Sequence, residues 1–95
     1  MNAVWSPEAI ADLLEIRKYI AENDPSAAQQ IVLQIVDAVE TRLVTRPEIG
    51  RPGRVPGTRE LVVPRTPFII PYRVKNNAVQ ILRVYHAARK WPGEL

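Results

Sequence analysis

The chain holds a single histidine, His86, in the run Ile81-Leu82-Arg83-Val84-Tyr85-His86-Ala87-Ala88-Arg89. Histidine titrates near neutrality and can take or give a proton. Arg65, Arg83 and Arg89 would be the cations to hold a phosphate beside it. Such a set could cleave a phosphodiester, which requires a group to accept the 2′-hydroxyl proton, cations for the pentacoordinate phosphate and an acid for the leaving oxygen. The same residues admit a structural reading. His86 can sit on the rim of a sheet and bond the backbone, and Arg83, flanked by apolar residues, suits a pair with a helix carboxylate as well as an anion. Other chemistries drop out. With no cysteine there is no disulfide, thiolate nucleophile or cysteine-based zinc site, and one histidine cannot build a multi-histidine site within one chain. No metal and no cofactor are expected.

The cations are unevenly distributed. Residues 1–50 carry four basic residues against eight acidic ones, a balance of −4, and residues 51–95 carry nine against two, a balance of +7. The net +3 therefore hides a polarised molecule, and such asymmetry points to an anionic partner, nucleic acid or acidic protein. Arg51, Arg54, Arg59, Arg65, Arg73, Arg83, Arg89 and Lys90 are the candidate contacts. Arg59 and Glu60 are equally suited to an internal ion pair. Trp91 offers a platform for stacking a base, or an apolar body that packs back on the protein.

The positioning elements follow from periodicity and punctuation. Residues 2–5 form a brief apolar entry strand. Ser6-Pro7-Glu8 starts a helix: Ser6 caps, Pro7 suits the first helical position, and Glu8 meets the positive dipole end. Ile10, Leu13, Leu14 and Ile20 recur at helical spacing. Asn23-Asp24-Pro25 stops this helix and opens a second, with Ala28, Ile31, Val32, Ile35, Val39 and Leu43 on one side, ending near Arg46-Pro47. So short a link makes a helical hairpin. Residues 46–57 hold three prolines and three glycines and suit a binding loop or a plain connector. Three strands follow, at Arg59–Val63, Phe68–Lys75 and Ala78–His86, the last pair joined by a turn at Asn76-Asn77. Pro71 implies an edge strand or a bulge. Tyr72 and Tyr85 belong to the core or a sheet face. The expectation is one α+β domain over residues 1–95, in βααβββ order, with the hairpin on one face of a small antiparallel sheet. The apolar runs are too short to span a membrane, which takes about 20 residues. The N-terminal residues lack signal-peptide character, so a cytoplasmic protein is expected.

Trp5-Ser6-Pro7-Glu8-Ala9 with Asp12-Leu13, Tyr19-Ile20-Ala21, Pro25 with Ala27-Ala28, and Pro47 with Gly50-Arg51 recur in order along the chain. Gly57-Thr58-Arg59-Glu60-Leu61, Tyr72-Arg73-Val74 and the run from Ile81 to Arg89 complete the series. In this order and spacing the chain resembles the RelE/ParE superfamily of toxins from type II toxin–antitoxin modules. The resemblance implies the fold just derived, growth inhibition, a role in plasmid stabilisation, and one of two activities. One branch cleaves mRNA at the ribosome, mainly with Lys and Arg on the second and third strands and Arg and Tyr near the C-terminus, or with a Glu–Arg–His set. The ParE-like branch poisons DNA gyrase. Counted back from Tyr72, the strand positions that carry cations in the nucleases fall at about Glu60, Val62 and Ile69. Ala87 and Ala88 follow His86 where a tyrosine or arginine would be wanted.

These absences place the chain with the ParE-like, gyrase-directed branch, a protein-binding inhibitor and not an enzyme. The alternatives are a ribosome-dependent mRNA endonuclease using His86, Arg83, Arg65 and Arg89, or a non-toxic antitoxin-binding member. The resemblance also implies a cognate antitoxin whose acidic C-terminal segment wraps the toxin, with residues 51–95 supplying basic contacts. Operator DNA would be reached only through that antitoxin.

Overall fold

The computed structural model describes residues 1–88 and Leu95. Strand β1 (Asn2–Trp5) leads into helix α1 (Pro7–Ala21) and helix α2 (Pro25–Asp37). Both helices start as their sequences dictate. Ser6 Oγ accepts the Ala9 N–H at 2.9 Å and Asp24 Oδ1 accepts the Ala27 N–H at 3.0 Å, with proline in the first turn each time. Then come β2 (Arg51–Pro52), β3 (Arg59–Val62), β4 (Phe68–Lys75), β5 (Ala78–Ile81) and β6 (Tyr85–His86). The expected α+β order holds, with β2 as an added edge.

The sheet order is β1-β5-β4-β3-β2, and β6 pairs with the start of β4. β1 runs parallel to β5, and the other pairings are antiparallel. Asn76 and Asn77 both take positive φ, 54° and 58°, the geometry of a type I′ hairpin turn between β4 and β5. Leu61, Ile70, Tyr72, Val79 and Ile81 point to the helices and meet Ile35, Val39 and Leu43 in one core. Burying each such side chain is worth about 1.5–3 kcal/mol before chain entropy is charged against it.

Two boundaries differ from expectation. The second helix was expected to run unbroken to about residue 46, but its winding widens to a π-helix over Ala38–Leu43. Ile35, Val39 and Leu43 repeat every four residues, outrunning the 3.6-residue α turn by about 0.4 residue per step. The wider turn takes up that excess and keeps all three fully buried.

The last strand, expected to run unbroken from Ala78 to His86, is interrupted at residues 82–84. Between the pairs Tyr72↔Ile81 and Ile69↔Tyr85, three residues on this strand face two on β4, which is a bulge. Pro71 lies opposite it. Its carbonyl accepts the Leu82 N–H at 3.0 Å, but its ring nitrogen has no proton to return. Helix α1 fills the gap: Ser6 Oγ donates to the Leu82 carbonyl at 2.7 Å and Asp12 Oδ2 accepts the Val84 N–H at 3.0 Å. Pro71 thus sits in an inner strand, and the bulge is what makes it tolerable.

Candidate functional surface

Side-chain alternation sends Glu60, Val62, Ile69 and Tyr85 to the sheet face away from the helices. Cross-strand register confirms it, pairing Val62 with Ile69 and Ile69 with Tyr85. The three positions singled out by the resemblance therefore converge on one patch. Its chemistry is acidic and aliphatic. Val62 is half exposed, Ile69 is buried, and Glu60 is only 3% exposed.

Glu60 is a carboxylate clamped by arginines. Oε1 accepts from Arg51 Nη2 at 3.1 Å, and Oε2 accepts from Arg54 Nε at 3.1 Å and from the Arg54 backbone N–H at 2.9 Å. Burial pushes its pKa up, but the Arg54 N–H and the two guanidinium groups outweigh that and hold it below the ordinary carboxylate value. The acid does form an internal pair, though not with Arg59, whose side chain leaves the strand on the other face. Arg59 donates to the carbonyls of Gly50 at 2.8 Å and Glu48 at 3.3 Å. Tyr72 finishes this anchor: its hydroxyl donates to the Pro47 carbonyl at 2.7 Å and accepts the Gly50 N–H at 2.8 Å. Burial pushes the Tyr72 phenol up, against that N–H. Loop 46–57 is therefore tied to the sheet at both ends.

Arg83 takes the structural role. Its Nε and Nη2 donate to Asp12 of α1 at 2.7 and 2.9 Å, and its guanidinium lies 4.8 Å from the centre of the Tyr85 ring. The Asp12 hydrogen bonds raise its already high pKa. A guanidinium so engaged presents little to a phosphate. Arg73 Nε donates to Gln80 at 2.7 Å on the exposed sheet surface.

His86 is exposed, but its setting is apolar. Its ring meets Phe68 edge-on with centroids 5.6 Å apart, and Nδ1 accepts the Ala88 N–H at 3.1 Å. It stands on the rim of a groove of about 620 Å³ lined by Ile16, Tyr19, Ile20, Ile31, Pro67 and Phe68, whose one charged lining residue among those described is Glu15. Neither Arg65 nor Arg83 lines that groove. Arg65 lies in the β3–β4 turn, beside Arg42. Arg89, Lys90 and Trp91 lie outside the described residues.

The groove itself was not foreseen, nor was Asp12 as the partner of Arg83. A signal existed for the groove. Apolar residues on α1 occupy more of the circumference than one packed face uses, with Ile16, Tyr19 and Ile20 beside Ile10 and Leu14.

A helical hairpin packed on one face of a mostly antiparallel sheet, with an arginine-rich second half, is the α+β architecture of RelE/ParE-type toxins. Residues 3–91 match the family described as ParE toxin of type II toxin-antitoxin system, parDE, and the chain belongs to that family. It is 47% identical to "Putative toxin Y4kP" of Sinorhizobium fredii over 93% of this chain and 90% of that protein. It is 41% identical to "Toxin RelE2" of Caulobacter vibrioides, covering 93% and 97%. Among solved structures, a chain of the chromosomal ParDE TA system from P. aeruginosa matches with TM-score 0.80 and 39% identity, covering 90% of this chain and 95% of that one. A chain of the toxin–antitoxin complex RelBE2 from Mycobacterium tuberculosis shares the fold, with TM-score 0.66, 24% identity and the same coverage. The protein is the toxin of a type II toxin–antitoxin system.

Proposed function

We propose that this toxin arrests growth by binding and poisoning DNA gyrase, not by cutting RNA, and that a cognate antitoxin silences it. The observation that carries this reading is Glu60. Where an RNA-cleaving relative would need a cation against the scissile phosphate, this chain has a buried carboxylate, fixed by Arg51 and Arg54 and kept ionised. A carboxylate there repels the phosphate and consumes two of the nearby guanidinium groups. Val62 and Ile69 beside it offer no charge. His86 faces an apolar groove, and Arg83 is held by Asp12. The test is a supercoiling and DNA-cleavage assay with purified gyrase. The full chain should inhibit supercoiling and accumulate cleaved DNA, and His86→Ala should do so equally. Ribosome-dependent mRNA cleavage abolished by His86→Ala would refute it.

The antitoxin proposal rests on apolar surface as well as charge. Besides the His86 groove, the hairpin exposes Ile10, Leu14 and Leu33, and Leu33 lines a second depression between α1 and α2 with Ala28 and Val32. Apolar anchors of this kind supply affinity, while opposite charge speeds encounter. Hydrogen exchange on the complex should show protection in these grooves and along residues 51–86. Protection confined elsewhere would overturn this mode.

A further inference from the structure

Four described residues have positive φ, and three are the types that tolerate it: Gly57, Asn76 and Asn77. The fourth is Arg65, at φ 61°. It occupies the third position of the turn Val63-Pro64-Arg65-Thr66, closed by the Thr66 N–H on the Val63 carbonyl at 3.2 Å. Proline second and positive φ third define a type II turn, whose third position asks for glycine or asparagine. Arginine is therefore kept there against its backbone preference. Its side chain gives nothing back to the fold: it is exposed and has no hydrogen-bond or ion-pair partner among the described residues. Strain of this kind, unrepaid by any described residue, points to a use outside the fold.

Arg65 is not isolated. It shares one shallow depression with Arg42, and Arg42 shares the next with Arg46, beside Thr41 and Thr45. Arg42 and Arg46 stand four residues apart where the helix ends, both exposed and both without a partner among the described residues. Among the described residues one acidic side chain lines this ridge, Asp37, whose Oδ1 accepts the Thr41 hydroxyl at 2.9 Å. Three guanidinium groups without a partner among the described residues thus form a continuous cationic edge running from the end of the helical hairpin to the β3–β4 turn. The apolar residues lining the edge are Ile49, Pro64, buried Val63 and buried Ala38, and no aromatic or large exposed apolar side chain is among the described ones, so it lacks the anchors that carry protein–protein affinity. Arginine forks match phosphate oxygens.

We infer that Arg42, Arg46 and Arg65 form a docking edge for the phosphodiester backbone of a double-stranded nucleic acid. Backbone contacts position without reading sequence, so this is compatible with an antitoxin that alone recognises an operator. It also holds for either target, since gyrase on DNA and the ribosome both present nucleic-acid backbone.

The test is fluorescence anisotropy of the full chain with short mixed-sequence DNA and RNA duplexes across a salt series. Three neutralised phosphates predict a log–log salt slope of about −2.7 on DNA, or about 40-fold weaker binding between 50 and 200 mM salt. Arg65→Gly and Arg42→Gln should each flatten the slope by about 0.9, leaving about a 12-fold loss over that span. Arg65→Gly suits the turn better than arginine does, so misfolding cannot explain its loss of binding. Lys18→Gln, on the exposed side of α1 away from the ridge and both grooves, is the control and should leave duplex binding and its salt slope unchanged. The better-bound duplex identifies the source of the phosphate. The inference fails if neither duplex binds at low salt, or if Lys18→Gln matters as much as Arg65→Gly. It also fails if the ridge variants spare duplex binding and weaken only capture of an acidic peptide.

Discussion

Asp12→Ala should be among the most damaging single changes on the surface of this toxin, and more damaging than removal of its partner. Asp12 accepts three hydrogen bonds, two from Arg83 and one from the Val84 N–H at the bulge. The Arg83 side chain is 27% exposed, so water replaces much of what that pair supplies, and about 1 kcal/mol is assigned to it. The Val84 N–H belongs to a residue 2% exposed, and stranding it costs about 1–2 kcal/mol. The sum, about 2–3 kcal/mol, corresponds to a fall in Tm of about 10–20 °C for a domain of this size. Arg83→Ala leaves Val84 satisfied and should cost about 1 kcal/mol. Urea unfolding of both single variants and the double variant measures each value and a coupling of about 1 kcal/mol. Equal losses from the two single variants, or a change below about 0.5 kcal/mol for Asp12→Ala, would show that the bulge is not held this way. If Arg83 is structural, Arg83→Ala should still arrest growth at permissive temperature.

The loop anchor predicts two further effects. Tyr72→Phe strands the Gly50 N–H and the Pro47 carbonyl and should cost about 1–3 kcal/mol by denaturant unfolding. Gly50→Ala would place a Cβ 2.5 Å from the Tyr72 hydroxyl and should cost about 1–3 kcal/mol by overpacking, measured the same way. The Glu60 pKa is lowered on folding, so its contribution is present above the unfolded value near 4.5 and is lost as pH falls through the folded one. Comparing wild type with Glu60→Gln by unfolding from neutral to acid pH should show a difference that shrinks in that acid range, and a constant difference would contradict the clamp. His86→Ala removes an edge contact to Phe68 and should shift stability by less than about 1 kcal/mol, with growth arrest unchanged.

Local chemistry was legible wherever a residue type answers a backbone need. Ser6, Asp24 and the Asn76-Asn77 turn all act as their types require, and α1, β4 and the hairpin turn fall where expected. What escaped depends on distant chain. The break at residues 82–84 needs Pro71, the Ser6 hydroxyl that donates to the Leu82 carbonyl, and Asp12, which accepts the Val84 N–H; Asp12 lies 71 residues from Arg83. Glu60 illustrates a partial reading. Its internal pairing was anticipated, but strand alternation sends Arg59 to the opposite face, so the partners come from loop residues 51 and 54. Arg42 and Arg46 read as ordinary helix-end charges until the fold sets Arg65 beside them.

The central claim, gyrase and not mRNA as target, is tested most directly in cells. The chain would be induced without an antitoxin while DNA and protein synthesis are followed separately by labelled-precursor incorporation. The account predicts early loss of DNA synthesis, with filamentation and an SOS response, while translation continues. Early collapse of translation with cleaved mRNA would contradict it and return His86 to the centre of the chemistry.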